Sequence, residues 1–239
     1  MVIITIDGPS GVGKGTLALY LADKLHFNYL NSGALYRSIG YIADLKSIDL
    51  TDEKMLISID QSITFKFNKA SKNIEIMYEN KSINKKIFNE KTANTASKIA
   101  SISSLRKSIV NIQRAFAKEP GLVAEGRDMG SIIFPDAIIK LFLTANTKTR
   151  AKRRHKQLKE KGINVSLSQL IDELEARDKR DTVREVSPLI VPEDALIVKT
   201  DNKSIGKVQE EVISYIGNTI KIWVNLLKIF LSQVNTVKS

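Results

Sequence analysis

Cysteine is absent from this 239-residue chain, and histidine occurs only as His26 and His155. The first absence excludes a disulfide framework, a thiolate nucleophile and a zinc–thiolate site together. The second leaves almost no room for metal chemistry resting on imidazole. No apolar run is long enough to cross a bilayer: the richest stretch, Val212 to Val234, is broken by Asn218, Lys221, Asn225, Lys228 and Ser232. No basic segment precedes the apolar start Met1-Val-Ile-Ile-Thr-Ile-Asp7 and no small-residue cleavage site follows it, so the expected setting is cytoplasmic.

What is present is a 43% apolar share, enough to bury a sizeable core and to exclude disorder over most of the length. Net charge is +11, and it is uneven: residues 1–60 carry five Lys or Arg against seven Asp or Glu, residues 61–118 twelve against three. That balance admits a nucleic acid, an anionic membrane face or a small phosphorylated substrate. The basic middle is poor in aromatics for stacking on bases and carries no recognised DNA or RNA motif, so no nucleic-acid partner is expected. Lysines outnumber arginines 27 to 10, which makes the arginines the rarer signal. A guanidinium fork grips phosphate bidentately where an ammonium cannot.

Val2 to Ile6 is a β-branched run ending at Asp7-Gly8-Pro9, the pattern of a buried parallel strand entering a loop. Leu17, Leu21 and Leu25 then recur every four residues, so a helix over Lys14 to Leu25 follows directly. Further strands are expected at Leu122–Ala124, Ile138–Leu143 and Ala195–Val198, and helices at Ser104–Ala117, Thr147–Leu158, Leu167–Ala176 and from Ser204 onward. Ile63-Thr-Phe-Lys-Phe67 and Ile74-Glu-Ile-Met-Tyr78 alternate on either side of the polar stretch Asn68 to Asn73, which predicts an antiparallel hairpin inserted in a parallel α/β chain.

Between the first strand and helix, Gly8-Pro9-Ser10-Gly11-Val12-Gly13-Lys14-Gly15-Thr16 fits a loop that cradles phosphate. Glycines let successive backbone N–H groups turn inward, Lys14 reaches the β- and γ-phosphates of a nucleotide, and the helix N-terminus faces them. The strict pattern asks for Ser or Thr directly after the lysine, and here Gly15 intervenes before Thr16. No Asn-Lys-x-Asp guanine-reading motif accompanies the loop, which weakens a GTPase reading.

Gly-Lys-Gly-Thr is the form of small nucleoside monophosphate kinases. Three more motifs accompany it: Asn31-Ser-Gly-Ala-Leu-Tyr-Arg37, Glu125-Gly-Arg-Asp-Met-Gly130 and Ala176-Arg-Asp-Lys-Arg-Asp-Thr-Val-Arg184. Together they closely resemble bacterial cytidylate kinases over nearly all of residues 1–216. The resemblance implies a three-layer P-loop α/β fold with a central parallel sheet, a small antiparallel insert and a mobile lid. It divides the chain into a core of 1–61, 91–149 and 163–216, an insert at 62–90, a lid at 150–162 and a C-terminal extension at 217–239.

The implied activity is transfer of the γ-phosphoryl group of ATP to CMP or dCMP. By this similarity Ser32, Arg37, Arg127 and Arg184 hold the acceptor phosphate, while Ser97, Arg106 and Asp128 read the cytosine edge. A carboxylate accepts from the exocyclic amine of cytosine and meets only another acceptor on uracil. Arg177 and Asp181 contact the sugar. Mg²⁺ is implied as cofactor, with Thr16 as a direct ligand and Glu125 holding it through water; many relatives have Asp at this second place, and often Asp where Asn31 stands. Arg153 and Arg154, with Arg150 before them, open the basic lid helix and close over the transferring group, and adenine packs near Thr200 to Ser204. Lys14, Arg127, Arg153, Arg154 and Arg184 are thus the expected catalytic group.

Rival readings are a broader UMP/CMP kinase, a basic nucleic-acid-binding NTPase and a scaffold that binds nucleotide without turnover. Beyond about residue 216 the resemblance fades, and polar residues three and four apart leave Ile222, Trp223, Leu226, Leu227, Ile229, Phe230 and Leu231 on one wide apolar face. A terminal helix docked on its own core, weak self-association and a shallow membrane contact all fit that face.

Overall fold

The structure, a computed structural model, describes residues 1–60, 62–68, 73–160 and 162–236, with residues 60, 73 and 222–236 described by their backbone alone. The chain runs β1 (Val2–Asp7), α1 (Lys14–Leu25), β2 (Asn28–Asn31), α2 (Ser32–Leu45), α3 (Glu53–Asp60), β3 (Ile63–Asn68), β4 (Asn73–Tyr78), β5 (Lys81–Ser82), α4 (Asn84–Ile87), α5 (Glu90–Ile99) and α6 (Ser103–Arg114). It continues through β6 (Gly121–Glu125), a π-helical turn (Met129–Ile133), β7 (Ile139–Thr144), α7 (Thr147–Glu160), α8 (Leu167–Val183), β8 (Leu196–Lys199) and α9 (Ile205–Thr236). It divides into two compact units, Met1–Asp201 and Asn202–Ser239.

In the first unit five strands form one parallel sheet in the order β2-β6-β1-β7-β8. The β-branched β1 lies at its centre and is buried on both faces: Ile4 and Ile6 on one face and Thr5 and Asp7 on the other are all 1% exposed or less, with Ile4 opposite Val123 in one neighbouring strand and Ile139 in the other. Parallel pairing brings the carboxyl ends of all five strands to one edge, and the glycine loop, Ser32, Glu125, Asn146 and Thr200 follow from that edge. Ligands of open α/β sheets bind there.

The expected hairpin is present as β3 paired antiparallel with β4, Phe65 opposite Ile76 and Phe67 opposite Ile74, extended by the short β5. Its polar turn at 69–72 lies outside the described residues. Helix α1 spans the predicted residues, while α8 outruns its expected end by seven residues to reach Val183. The second unit contains one helix among the described residues, α9, which continues without a break across the 216/217 boundary drawn from the resemblance. The side chains of its predicted apolar face, 222–231, lie outside the described residues, as does Lys161 at the end of the expected lid. No helix among the described residues is long and apolar enough to cross a membrane.

Two contacts at the end of β1 determine where the site forms. Gly8 has φ of +140°, and a Cβ there would sit 2.1 Å from the Leu143 carbonyl oxygen, so only glycine lets the chain pass β7 into the loop. The carboxylate of Asp7, 1% exposed, accepts from the backbone N–H of Met129 at 3.0 Å and of Gly130 at 2.8 Å. Those amides begin the π-helical turn after Asp128, so one side chain fixes the glycine loop against the loop that follows β6.

Burial pushes the Asp7 carboxyl up from 3.8 to about 6, against the two amides that favour its charge. The folded protein therefore keeps a proton that the unfolded chain sheds, and this group subtracts stability progressively as pH rises from about 4 to about 6. Urea denaturation of the wild type and Asp7→Asn across pH 4 to 7 checks it. The stability advantage of the wild type should shrink as pH rises through that window and level off above it; a pH-independent difference would refute the assignment.

Candidate active site

The glycine loop closes on its own lysine. Lys14 Nζ donates to the carbonyls of Gly8 at 2.8 Å and Pro9 at 2.7 Å. Burial lowers its pKa well below the ordinary lysine value, and the neighbouring Arg127 lowers it further. The ammonium is thus held by two neutral carbonyls at a place where phosphate oxygens would serve it better.

Behind it, at the end of β6, Glu125 is 6% exposed. A Cβ on Gly15 would come 3.1 Å from its Oε1, which accounts for glycine where the strict loop pattern carries Ser or Thr. The Tyr29 hydroxyl donates to Glu125 Oε1, and Asn31 Nδ2 donates to the Tyr29 oxygen at 3.3 Å. Asn31 also caps α2 by accepting from Ala34 N at 2.9 Å. Burial raises the Glu125 pKa, opposed by Lys14, by the Tyr29 hydrogen bond and by Arg127. An exposed Thr16 hydroxyl and one buried carboxylate are hard oxygen donors that suit Mg²⁺, an ion that takes few protein ligands and fills its shell from water and substrate phosphates. No cluster of three or more His, Cys, Asp or Glu side chains able to hold a metal exists among the described residues.

Of the residues expected to hold the acceptor nucleotide, all but Arg37 line one pocket: Ser32, Ser97, Arg106, Arg127, Asp128, Arg177, Asp181 and Arg184. Their placement follows from four helices, α2, α5, α6 and α8, and the loop after β6. Helix α6 delivers Arg106 into a buried ion pair with Asp128, and its guanidinium also donates to the Ala100 carbonyl at 3.0 Å. Helix α8 carries Arg177 and Asp181 one turn apart. Asp181 accepts from Arg127 Nε at 2.8 Å and from the Ser97 hydroxyl at 3.1 Å, which ties α8 to α5. Burial pushes the Asp181 carboxyl up, but Arg127 and Arg177 bring it below its ordinary value.

The arginines remain undersupplied with partners. Arg177 Nη1 donates to Ser10 Oγ at 3.1 Å and Arg184 Nε to the Ser187 carbonyl at 2.6 Å, while the buried Arg177 Nε and Arg184 Nη2 have no partner among the described residues. Burial lowers the Arg177 pKa to about 9, with Arg127 adding to the shift. Burial likewise lowers Arg37 to about 10, and Arg37 lies against the carbonyls of Ile87 and Asn89 and over the Phe88 ring at 5.7 Å. Such crowding of desolvated guanidinium groups is a site prepared for an anion.

The basic helix α7 is not uniform. Arg150 is buried, pairs with Asp178 at 2.6 Å and donates to the Ser10 carbonyl at 3.1 Å, so it braces the glycine loop from below. Arg153 donates to Thr200 Oγ1 at 3.0 Å and Arg154 pairs with Glu90 on α5. Thr200 is thus engaged by α7, while residues 202–204 of the stretch expected near adenine belong to the second unit. Tyr36 is a pocket residue that the sequence reading missed: its ring lies 5.5 Å from the Arg106 guanidinium, and burial raises its hydroxyl to about 12. It stands one turn beyond Ser32 on α2, a spacing that could have revealed it.

A family model described as cytidylate kinase matches residues 4–218. The chain is 46% identical over 217 residues to a curated cytidylate kinase of Pseudomonas syringae pv. tomato, covering 90% of this chain and 95% of that one. It is 45% identical over 212 residues to one of Nitrosomonas europaea, covering 89% and 93%. Among solved structures, an uncharacterized protein from Eubacterium ventriosum superposes with a TM-score of 0.50 at 16% identity, over 91% of this chain and 98% of that one, a likeness of fold alone.

The undersupplied arginines make a prediction of their own. Sulfate, a phosphate-sized anion, should raise the melting temperature by binding the native site, and Arg127→Ala should remove most of that rise. An equal rise in both proteins would show that it does not come from this site, since exclusion of sulfate from the protein surface also raises the melting temperature.

Proposed function

This chain belongs to the cytidylate kinase family, and from that premise we propose that it transfers the γ-phosphoryl group of ATP to CMP or dCMP, giving ADP with CDP or dCDP. The observation that carries the acceptor is the buried Arg106–Asp128 pair lining a pocket beside the glycine loop. Free carboxylate lone pairs of Asp128 accept from the exocyclic amine of cytosine. The ion pair to Arg106 holds that carboxylate in place. Uracil would present a carbonyl to the same oxygens.

ATP binds with its phosphates in the loop Gly8 to Thr16. Lys14 exchanges the Gly8 and Pro9 carbonyls for phosphate oxygens, and the amides at the start of α1 face the same charge. Mg²⁺ fits Thr16 directly and Glu125 through water, and when bound it neutralises charge on the phosphates. The acceptor phosphate lies among Ser32, Arg37, Arg127 and Arg184, and the sugar against Arg177 and Asp181. Phosphoryl transfer has a loose transition state, so in-line placement and charge stabilisation do the catalytic work and no dedicated base is needed.

Of the lid expected at 150–162, Arg150 stays anchored to Asp178 and the glycine loop, and the residues that follow it move. Closure moves Arg153 from Thr200 and Arg154 from Glu90 toward the transferring group and excludes water from it. Substrates that are free nucleotides suit a cytoplasmic enzyme.

Asp128→Ala tests the base-reading role. The KM for CMP should rise roughly 10- to 100-fold with little change in the KM for ATP. Because the substitution leaves Arg106 buried without its partner, melting temperature is followed alongside. Equal losses for both substrates in a folded variant would sink the role.

A further inference from the structure

Gln113 is fully buried near the C-terminal end of α6, and its side chain bridges to a residue 81 positions away: Nε2 donates to the Ser32 hydroxyl oxygen at 2.8 Å. Its Oε1, also buried, has no hydrogen-bond partner among the described residues. An unmatched buried acceptor is costly, and an apolar side chain of similar length would avoid the cost while filling the same space. The amide is therefore retained for the bond it makes. Gln113 stands seven residues after Arg106, two turns along the same face of α6, so the helix that carries the base-reading arginine also reaches the floor of the phosphate site.

A serine hydroxyl has one proton and two lone pairs. Ser32 opens α2, lines the acceptor pocket with Arg127 and Arg184, and makes no hydrogen bond as donor among the described residues. A phosphate monoester offers acceptors to its binding site, so Ser32 helps only when it presents its proton and hinders when it presents a lone pair. The Gln113 N–H occupies a lone pair from behind.

We propose that Gln113 is a positioning residue for the acceptor phosphate: its amide fixes the Ser32 hydroxyl with the proton turned into the pocket, as a donor to a phosphoryl oxygen. This rests on the reading that Ser32 touches that phosphate. Gln113 itself touches no substrate. Its role is one of polarity, since without it the hydroxyl is free to rotate and the pocket gains a second acceptor where it needs a donor.

The test is calorimetric titration of CMP, with KM values for CMP and ATP, on the wild type, Gln113→Met, Ser32→Ala and the double variant. Gln113→Met keeps the volume and removes the donor. It should weaken CMP about tenfold while leaving the KM for ATP unchanged and the melting temperature unchanged or higher, a combination that a packing role would not produce. Added to Ser32→Ala it should cost nothing further, because the two act through one hydroxyl.

Unchanged CMP affinity in Gln113→Met, with affinity lost in Ser32→Ala, would overturn the proposal and leave the reading of Ser32 standing. Unchanged affinity in Ser32→Ala would overturn that reading first. Losses that simply add in the double variant would show that Gln113 works by another route and would also overturn the proposal. Gln113→Asn, which withdraws the amide by one methylene, carries the same expectations for CMP affinity and the KM for ATP, with a lower melting temperature, should the methionine variant not fold.

Discussion

Two phosphorylated molecules must meet at one edge of a sheet, and the rest of the site follows from how their charge is received. The protein places cations there before any anion arrives and gives them too few partners. Lys14 rests on two carbonyls, and Arg177 and Arg184 each keep a buried nitrogen unbonded among the described residues. Burial and mutual repulsion weaken the hold of Arg177 and Arg37 on their protons. Phosphate oxygens placed among these groups would relieve that electrostatic cost.

Holding such a cluster demands a rigid frame. The parallel sheet supplies one edge from which every functional loop departs, and Asp7 fastens the donor loop to the loop after β6 through two backbone amides. Arg150 braces the glycine loop from α7, and Asp181 joins α8 to both Arg127 and α5. Protein carboxylates are used where they orient an arginine and withheld where a phosphate is to go. Asp128 differs from the rest because its ion pair with Arg106 also leaves lone pairs for a base. The neutral side chains complete the frame: Tyr29 and Asn31 aim Glu125, and Gln113 sets the polarity of Ser32.

Much of this was legible in the sequence, and the reason differs by element. β1, β6 and β7 are short, mostly apolar runs broken inside only by Thr5 and Lys140, and α1 repeats leucine every four residues, so their types follow from run length and periodicity. β2 escaped notice because Asn28 and Asn31 frame only two apolar residues, and the side chain of Asn31 is committed to capping the next helix. The π-helical turn has no local signal at all, being held by a carboxylate from β1. The charged residues that line the pocket stand in short polar motifs, Arg106 excepted. Tyr36, Tyr29 and Gln113 are less legible, since a neutral side chain in a helix or strand reads as core until its partner is known. Arg150 was the opposite case, grouped with its basic neighbours although it is buried and paired with Asp178.

The central claim is that a cytosine-reading pocket stands beside the glycine loop and receives the phosphoryl group. Initial rates of ADP release from Mg-ATP with CMP, dCMP, UMP or AMP, against a control without acceptor, test it most directly. The account predicts turnover with CMP and dCMP well above that with UMP and AMP. UMP turnover equal to that with CMP, or ADP release from the folded protein that no acceptor increases, would contradict it.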